Sequence, residues 1–185
     1  TLDRVETLLA ENRQRLDASL ESAEALLRAS PLLPKIASLR CRPTQLTIVA
    51  TRPLPAGLLY RSVTELLAQE RQAVARCRVH QSGHSVDVLP CGVSKLSVVE
   101  RLQSEVGGAI LTIGDQGQLG GNDHLFLARR DSLSVDLAST SFVGCWNLSP
   151  AGTRGPAALV NYVDVLRPAT AGSGHQLNVQ LLQER

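Results

Sequence analysis

At 185 residues the chain has material for one domain of ordinary size or two small ones, and 43% hydrophobic against 19% charged residues argues against disorder. Nineteen basic against seventeen acidic residues leave a formal charge of +2, too near neutral to draw nucleic acid or a membrane surface by field alone. No apolar run reaches the ~18 residues of a membrane span, so the chain reads as soluble.

Residues 1–30 set Leu2, Val5, Leu8, Leu9, Leu16, Leu20, Ala23, Leu26 and Leu27 near a roughly 3.6-residue period with charges between them, which predicts a long amphipathic helix. Ser30, Pro31 and Pro34 end it, and residues 1–39 form the N-terminal helical segment. An α+β unit over 40–92 follows: a strand at 44–51, a helix at 56–75, and strands within 77–90 hinged at Gly83. From 93 to 168 helix and strand alternate. Ser94 caps a helix beginning "KLSVVERLQSEV", and "AILTIG" reads as a strand covered on both faces. "HLFLARR" reads as a helix, "LSVDLA" as a strand, and "AALVNYVDVLR" as a helix after a Pro/Gly-rich loop. The pattern predicts an α/β chain with half of a doubly wound parallel sheet. Residues 169–185 form a tail, with "ATAGSGHQLN" as a flexible linker and "VQLLQER" too short to assign.

Cys41, Cys77, Cys91 and Cys145 lack Cys-x-x-Cys spacing and read as thiols of a reducing, cytoplasmic compartment. His80 and His84 have the spacing of a zinc pair on a helix, but here they flank Gly83 in strand-like sequence. Trp146 and its loop could line a crevice mouth or cover the core.

The stretch "TIGDQGQLGGNDH" concentrates the chemistry. Its glycines miss the dinucleotide spacing, no Gly-Lys-Ser/Thr follows, and a carboxylate at Asp115 would repel phosphate unless a cation lay between. An acid at the carboxyl end of a buried strand suits Mg²⁺, with Asn122 and Asp123 fixing the loop; an Asx-type turn is the alternative. Gly114 and Gly117 are read as letting the backbone turn tightly around the ion. Lys95, one β/α unit earlier, can face the same crevice and neutralise a phosphate oxygen.

Together, "SVDVLPCGVSK" and "GDQGQLGGNDH" resemble segments of the haloacid dehalogenase superfamily, in the branch with a large inserted cap and nearest its phosphomannomutase-like and sugar-phosphatase-like members. The resemblance covers residues 40 to about 166: most of the cap and the second half of the core. It implies Lys95 as the catalytic residue steadying the phosphoryl group, and Asp115, Asn122 and Asp123 as the metal-site residues for Mg²⁺. It implies Ser85 and Asp87 as substrate-binding; Arg42, the third substrate-binding candidate, and Arg40 stand at the cap's entry and either grip a phosphate or sugar or are solvated, and by the family pattern His124 caps or packs. The substrate would be a phosphorylated small molecule such as a sugar phosphate, with neither nucleic acid nor membrane as partner, and a homodimer through the cap is compatible with it.

That superfamily takes its nucleophile from an Asp-x-Asp pair, and this chain has none. Two explanations stand: a fragment of a phosphohydrolase or phosphomutase whose N-terminal core half carries the aspartyl-phosphate, or a non-catalytic module that lost the nucleophile. Retention of Lys95, Asp115 and the Asn-Asp pair favours the fragment, inactive by itself. A start at Thr1 without any methionine fits an excised piece, and equally loss of an initiator Met.

Overall fold

The computed structural model describes residues 19–70, 75–144, 146–168 and 175–183. They belong to two compact units, Thr1–Val93 and Ser94–Arg185.

In the first unit, helix α1 (19–29) leads through the short α2 (Leu33–Ile36) into β1 (Ala37–Arg42). Then come β2 (Gln45–Ala50), α3 (Ala56–Gln69), β3 (Cys77–Gln81) and β4 (Val86–Pro90). The strands form an antiparallel sheet in the order β1-β2-β4-β3. Leu46, Ile48, Val86 and Val88 face Leu20, Ala23 and Leu27 of α1 and Leu59, Val63 and Leu67 of α3. At about 1.5–3 kcal/mol for each large side chain fully buried, this layer holds the unit together.

The helical segment expected over 1–39 is shorter: Ser30 Oγ accepts from the Leu33 amide at 3.2 Å, Pro34 lies in the first turn of α2, and Ala37 already begins β1. "ASLRCR" alternates Ala37, Leu39 and Cys41 with Ser38, Arg40 and Arg42, which is the strand period. Residues 1–18 of the expected amphipathic helix lie outside the described residues. So do 71–74 of the helix expected to reach 75; α3 itself ends at Gln69.

The second unit opens with α4 (Lys95–Val106), whose N-cap Ser94 accepts from the Ser97 amide at 3.3 Å and which ends at left-handed Gly107. β5 (Thr112–Gln116), α5 (His124–Leu127) and β6 (Ser132–Leu137) follow, and β5 and β6 pair in parallel. Leu133 bridges Trp146 in parallel as well. Tyr162, Val165 and Ala158 of α6 (Pro156–Val165) pack on Leu133 and Val135. The fold class is therefore α/β, with the parallel strands confined to this unit.

Two expectations change here. The strand expected at 109–114 lies three residues later, and it is not covered throughout: Leu111 is exposed and Ile113 half-buried. Asp115 is therefore inside β5 rather than beyond it. The tail is more ordered than a linker, because β7 (Leu166–Pro168) pairs antiparallel with β8 (His175–Leu177). Helix α7 (Val179–Gln183) then buries Leu182 against the α6 core, while 169–174 lie outside the described residues. No helix among the described residues is long and apolar enough to cross a membrane.

Candidate functional site

Parallel strands end on the same side of their sheet, and that end of β5 gathers the acids. The β5–β6 register slips between Gly114 and Gln116, leaving Asp115 out of the ladder. Its amide turns instead to Asp123 Oδ2 at 2.9 Å, which also accepts from the Gln116 amide at 3.3 Å. In return the Asp123 amide donates to the Gln116 carbonyl at 3.2 Å, closing the loop on itself.

Asp123 Oδ1 is ion-paired with Lys95 Nζ. Leu96 and Val99 seat α4 on Phe126 and Leu127, and the Lys95 ammonium lies 5.7 Å from the Phe126 ring centroid, within cation–π reach. Asp123 is only 2% exposed, whereas more than half of the Lys95 side chain remains open to solvent. The lysine is thus anchored by a buried carboxylate without being consumed by it.

The two acids titrate in opposite directions. Burial pushes the Asp123 carboxyl up, but the Lys95 bond and the Asp115 amide outweigh it and hold it below the ordinary carboxylate range. Asp115 is raised, first by burial and then by the Asp123 charge beside it. Its carboxylate is exposed, lies beside that of Asp123 and receives a long 3.5 Å bond from Gln116 Nε2. Gln118 Nε2 donates to Gln116 Oε1 at 2.9 Å, so two amides line up toward Asp115. That relay was not anticipated, and the alternating Gln116 and Gln118 were its only trace in the sequence.

The glycines act by space rather than by a tight turn. A Cβ on Gly114 would stand 2.5 Å from Asp123 Oδ2, and one on Gly121 2.1 Å from the Gln116 carbonyl oxygen. Gly117 keeps to the ladder, donating to Leu137 O at 2.8 Å; the positive φ of the loop is at Gly120. His124 packs, its Nδ1 lying 2.9 Å from Gly117 O.

A divalent cation could be met here by hard oxygen donors. The exposed Asp115 carboxylate is one, and Asn122 Oδ1, buried without a hydrogen-bond partner, is a second. Both oxygens of Asp123 are already engaged. No cluster of three His, Cys, Asp or Glu side chains suited to a metal occurs among the described residues. Mg²⁺ takes one or two carboxylates and fills its sphere with water and phosphate oxygens, so by donor type these two oxygens suit it.

Ser85, Asp87 and Arg42 lie in the first unit. By register Arg40, Thr47, Asp87 and His80 form one row across all four strands, on the face opposite the core, and Arg42 shares that face. Asp87, read as a substrate-binding residue, is only 7% exposed. Its Oδ2 receives a 3.5 Å bond from Ser85 Oγ and its Oδ1 has no partner.

No protein-family pattern matches the chain, and neither does any curated protein. Among solved structures it is similar to N-terminally truncated Plasmodium falciparum IMP-nucleotidase, at 18% identity and TM-score 0.44 over 66% of this chain and 34% of that one. The IMP-bound form gives 17% and 0.46 over 69% of this chain and 34% of that one. Aspergillus fumigatus trehalose-6-phosphate phosphatase gives 16% and 0.38 over 73% and 53%. The chain spans about a third of the nucleotidase.

Proposed function

We propose that this chain supplies the metal-side half of a Mg²⁺-dependent phosphohydrolase or phosphomutase of the haloacid dehalogenase type, acting on a phosphorylated small molecule such as a sugar phosphate. The observation that carries the reading is the Lys95–Asp123–Asp115 constellation at the carboxyl end of a parallel strand pair. A buried acid there spends both oxygens on aiming a lysine and fixing the backbone of a second, exposed acid.

In that reading Asp115 and Asn122 hold the cation and Asp123 orders the loop. Bound Mg²⁺ would draw charge from the phosphoryl oxygens. Lys95 places a compact positive charge beside the same oxygens, which lowers the barrier to attack by a carboxylate. That carboxylate comes from outside these residues, since the chain has no Asp-x-Asp; its attack would break the substrate's P–O bond, the leaving alcohol taking its proton from the second Asp of that pair, and the aspartyl-phosphate would then be cleaved by water or a sugar hydroxyl. By the same resemblance Ser85, Asp87 and Arg42 would be the substrate-binding residues of the first unit.

The test is to join the chain to a core half carrying Asp-x-Asp and assay phosphate release with Mg²⁺. Lys95→Ala and Asp115→Ala should each lower the rate about 100-fold or more. Rates unaffected by both changes would leave the non-catalytic module as the better account.

A further inference from the structure

We infer that two copies of this chain associate through the amino end of the β5–β6 pair, Arg130 of each meeting Asp131 of the other around an apolar centre of Val106, Leu111, Phe142 and Val143. All four apolar side chains are exposed, Phe142 over its whole surface. The topology of the second unit gathers them. Parallel strands start on the same side of their sheet; α4 runs back to that side and finishes at Val106, and Leu111 stands just before β5. The parallel bridge of Trp146 to Leu133 returns the chain to the start of β6. There Ser141 Oγ donates to Ala128 O at 3.3 Å, and a Cβ on Gly144 would stand 1.6 Å from Arg129 O, so Phe142 and Val143 lie against the α5–β6 connection. Arg129 Nη2 donates to Gln103 Oε1 and ties that connection to the end of α4.

The charges around this patch select a second copy as its occupant. Arg130 and Asp131 are adjacent and of opposite sign, and neither forms an ion pair among the described residues. Arg129 Nη1 is buried without a hydrogen-bond partner, while Glu105 in the last turn of α4 is already paired with Arg101. A uniformly acidic partner would be repelled by Asp131, and a basic one by Arg129 and Arg130. A two-fold axis sets each residue against a different one of the copy, twice over, so the Arg130–Asp131 pair is complementary to itself. A stable pair buries about 800 Å² on each side, with an apolar centre and a polar rim. Phe142 can supply about 150–250 Å² of that centre, and its three aliphatic neighbours extend it.

The charged turn is fixed before any partner arrives. Asp131 has a φ of 60°, in the left-handed region that Asp enters more readily than most side chains. Its carbonyl accepts from the Thr112 amide at 3.0 Å, and Ser132 Oγ bonds Leu127 O at 2.6 Å and Arg129 O at 2.7 Å. A turn held this way loses little backbone entropy on association.

Lys95 and Asp115 lie at the opposite end of the same elements, so the inference stands without the proposed activity. Sedimentation equilibrium of the full chain over a range of concentrations should give a monomer–dimer equilibrium that salt weakens. Phe142→Ser and Arg130→Glu should each raise the dimer Kd about tenfold or more, and Asp131→Asn should raise it by a smaller factor. Val160→Ser, at an exposed apolar position of α6, should leave it unchanged. Phe142 and Asp131 are exposed, so circular dichroism of their variants should match the parent and separate lost association from lost fold. The inference is overturned by a chain that stays monomeric, by association that continues past the dimer, or by a dimer that Phe142→Ser and Arg130→Glu leave as tight as the parent, which would place the contact on another face.

Discussion

Asp115 carries a conflict that the other residues of its loop do not. It is exposed, yet its carboxyl is raised by burial and by the negative charge of Asp123, while Asp123 has Lys95 and two backbone amides to itself. A raised carboxyl means that the ionised form is destabilised in the fold relative to the unfolded chain. That cost is present at neutral pH and disappears below the ordinary carboxylate range, where both states hold the proton. Asp115→Asn should therefore raise the melting temperature at pH 7 without divalent cations. The gain should be about 1 kcal/mol or less because the group is exposed, and it should vanish as the pH falls to about 3. Mg²⁺ should raise the melting temperature of the parent and leave the variant unmoved. A variant that melts lower at pH 7 would show that Asp115 is held by attraction rather than strained by repulsion.

At the scale of elements, legibility followed how much of a signal was local. Helix α4 was readable because Ser94, the apolar spacing and Gly107 all lie within its own span. β1 was obscured by Arg40 and Arg42, whose charges masked a period-two pattern that only the pairing with β2 makes visible. β5 was misplaced by three residues because "AILTI" is apolar but for Thr112 and marks no start, and what ends the strand is a carboxylate from the following loop. The loop after β6 is fixed by another distant contact. Tyr162 on α6 is 1% exposed; its hydroxyl donates to Ser134 O at 2.8 Å and accepts from the Leu148 amide at 2.9 Å and from Ser149 Oγ at 2.9 Å. Tyr162→Phe leaves that carbonyl and amide without their partner, the carbonyl in a buried position. It should cost about 1–3 kcal/mol in urea denaturation, with an unchanged slope against denaturant. A loss below about 0.5 kcal/mol would mean the loop is held by its other bonds, such as Gly155 N to Val135 O at 2.9 Å.

For the whole molecule, the decisive feature is that each unit closes its own core: helices α1 and α3 on an antiparallel sheet in one, α6 and α7 around a parallel pair in the other. The candidate chemistry divides the same way. Lys95, Asp115, Asn122 and Asp123 belong wholly to Ser94–Arg185, and Arg42, Ser85 and Asp87 wholly to Thr1–Val93. The sequence made the loop of Asp115, Asn122 and Asp123 legible because its acids, amides and glycines are contiguous. It did not make the burial of Asp87 legible, because its neighbours Thr47 and His80 come from the two flanking strands, distant in sequence. A cation bound only through the loop should then stabilise one unit and not the other, since binding raises the stability of the cooperative segment that contains the site. Hydrogen exchange of the full chain with and without Mg²⁺ tests this directly. Protection should rise across 112–124, where Asp115, Asn122 and the amides held by Asp123 lie, and stay level across 45–50 and 86–90 of the antiparallel sheet. Asp115→Ala should abolish the rise. Equal gains in both sheets would place the cation elsewhere, and an Asp115→Ala chain that still responds would remove that carboxylate from the site.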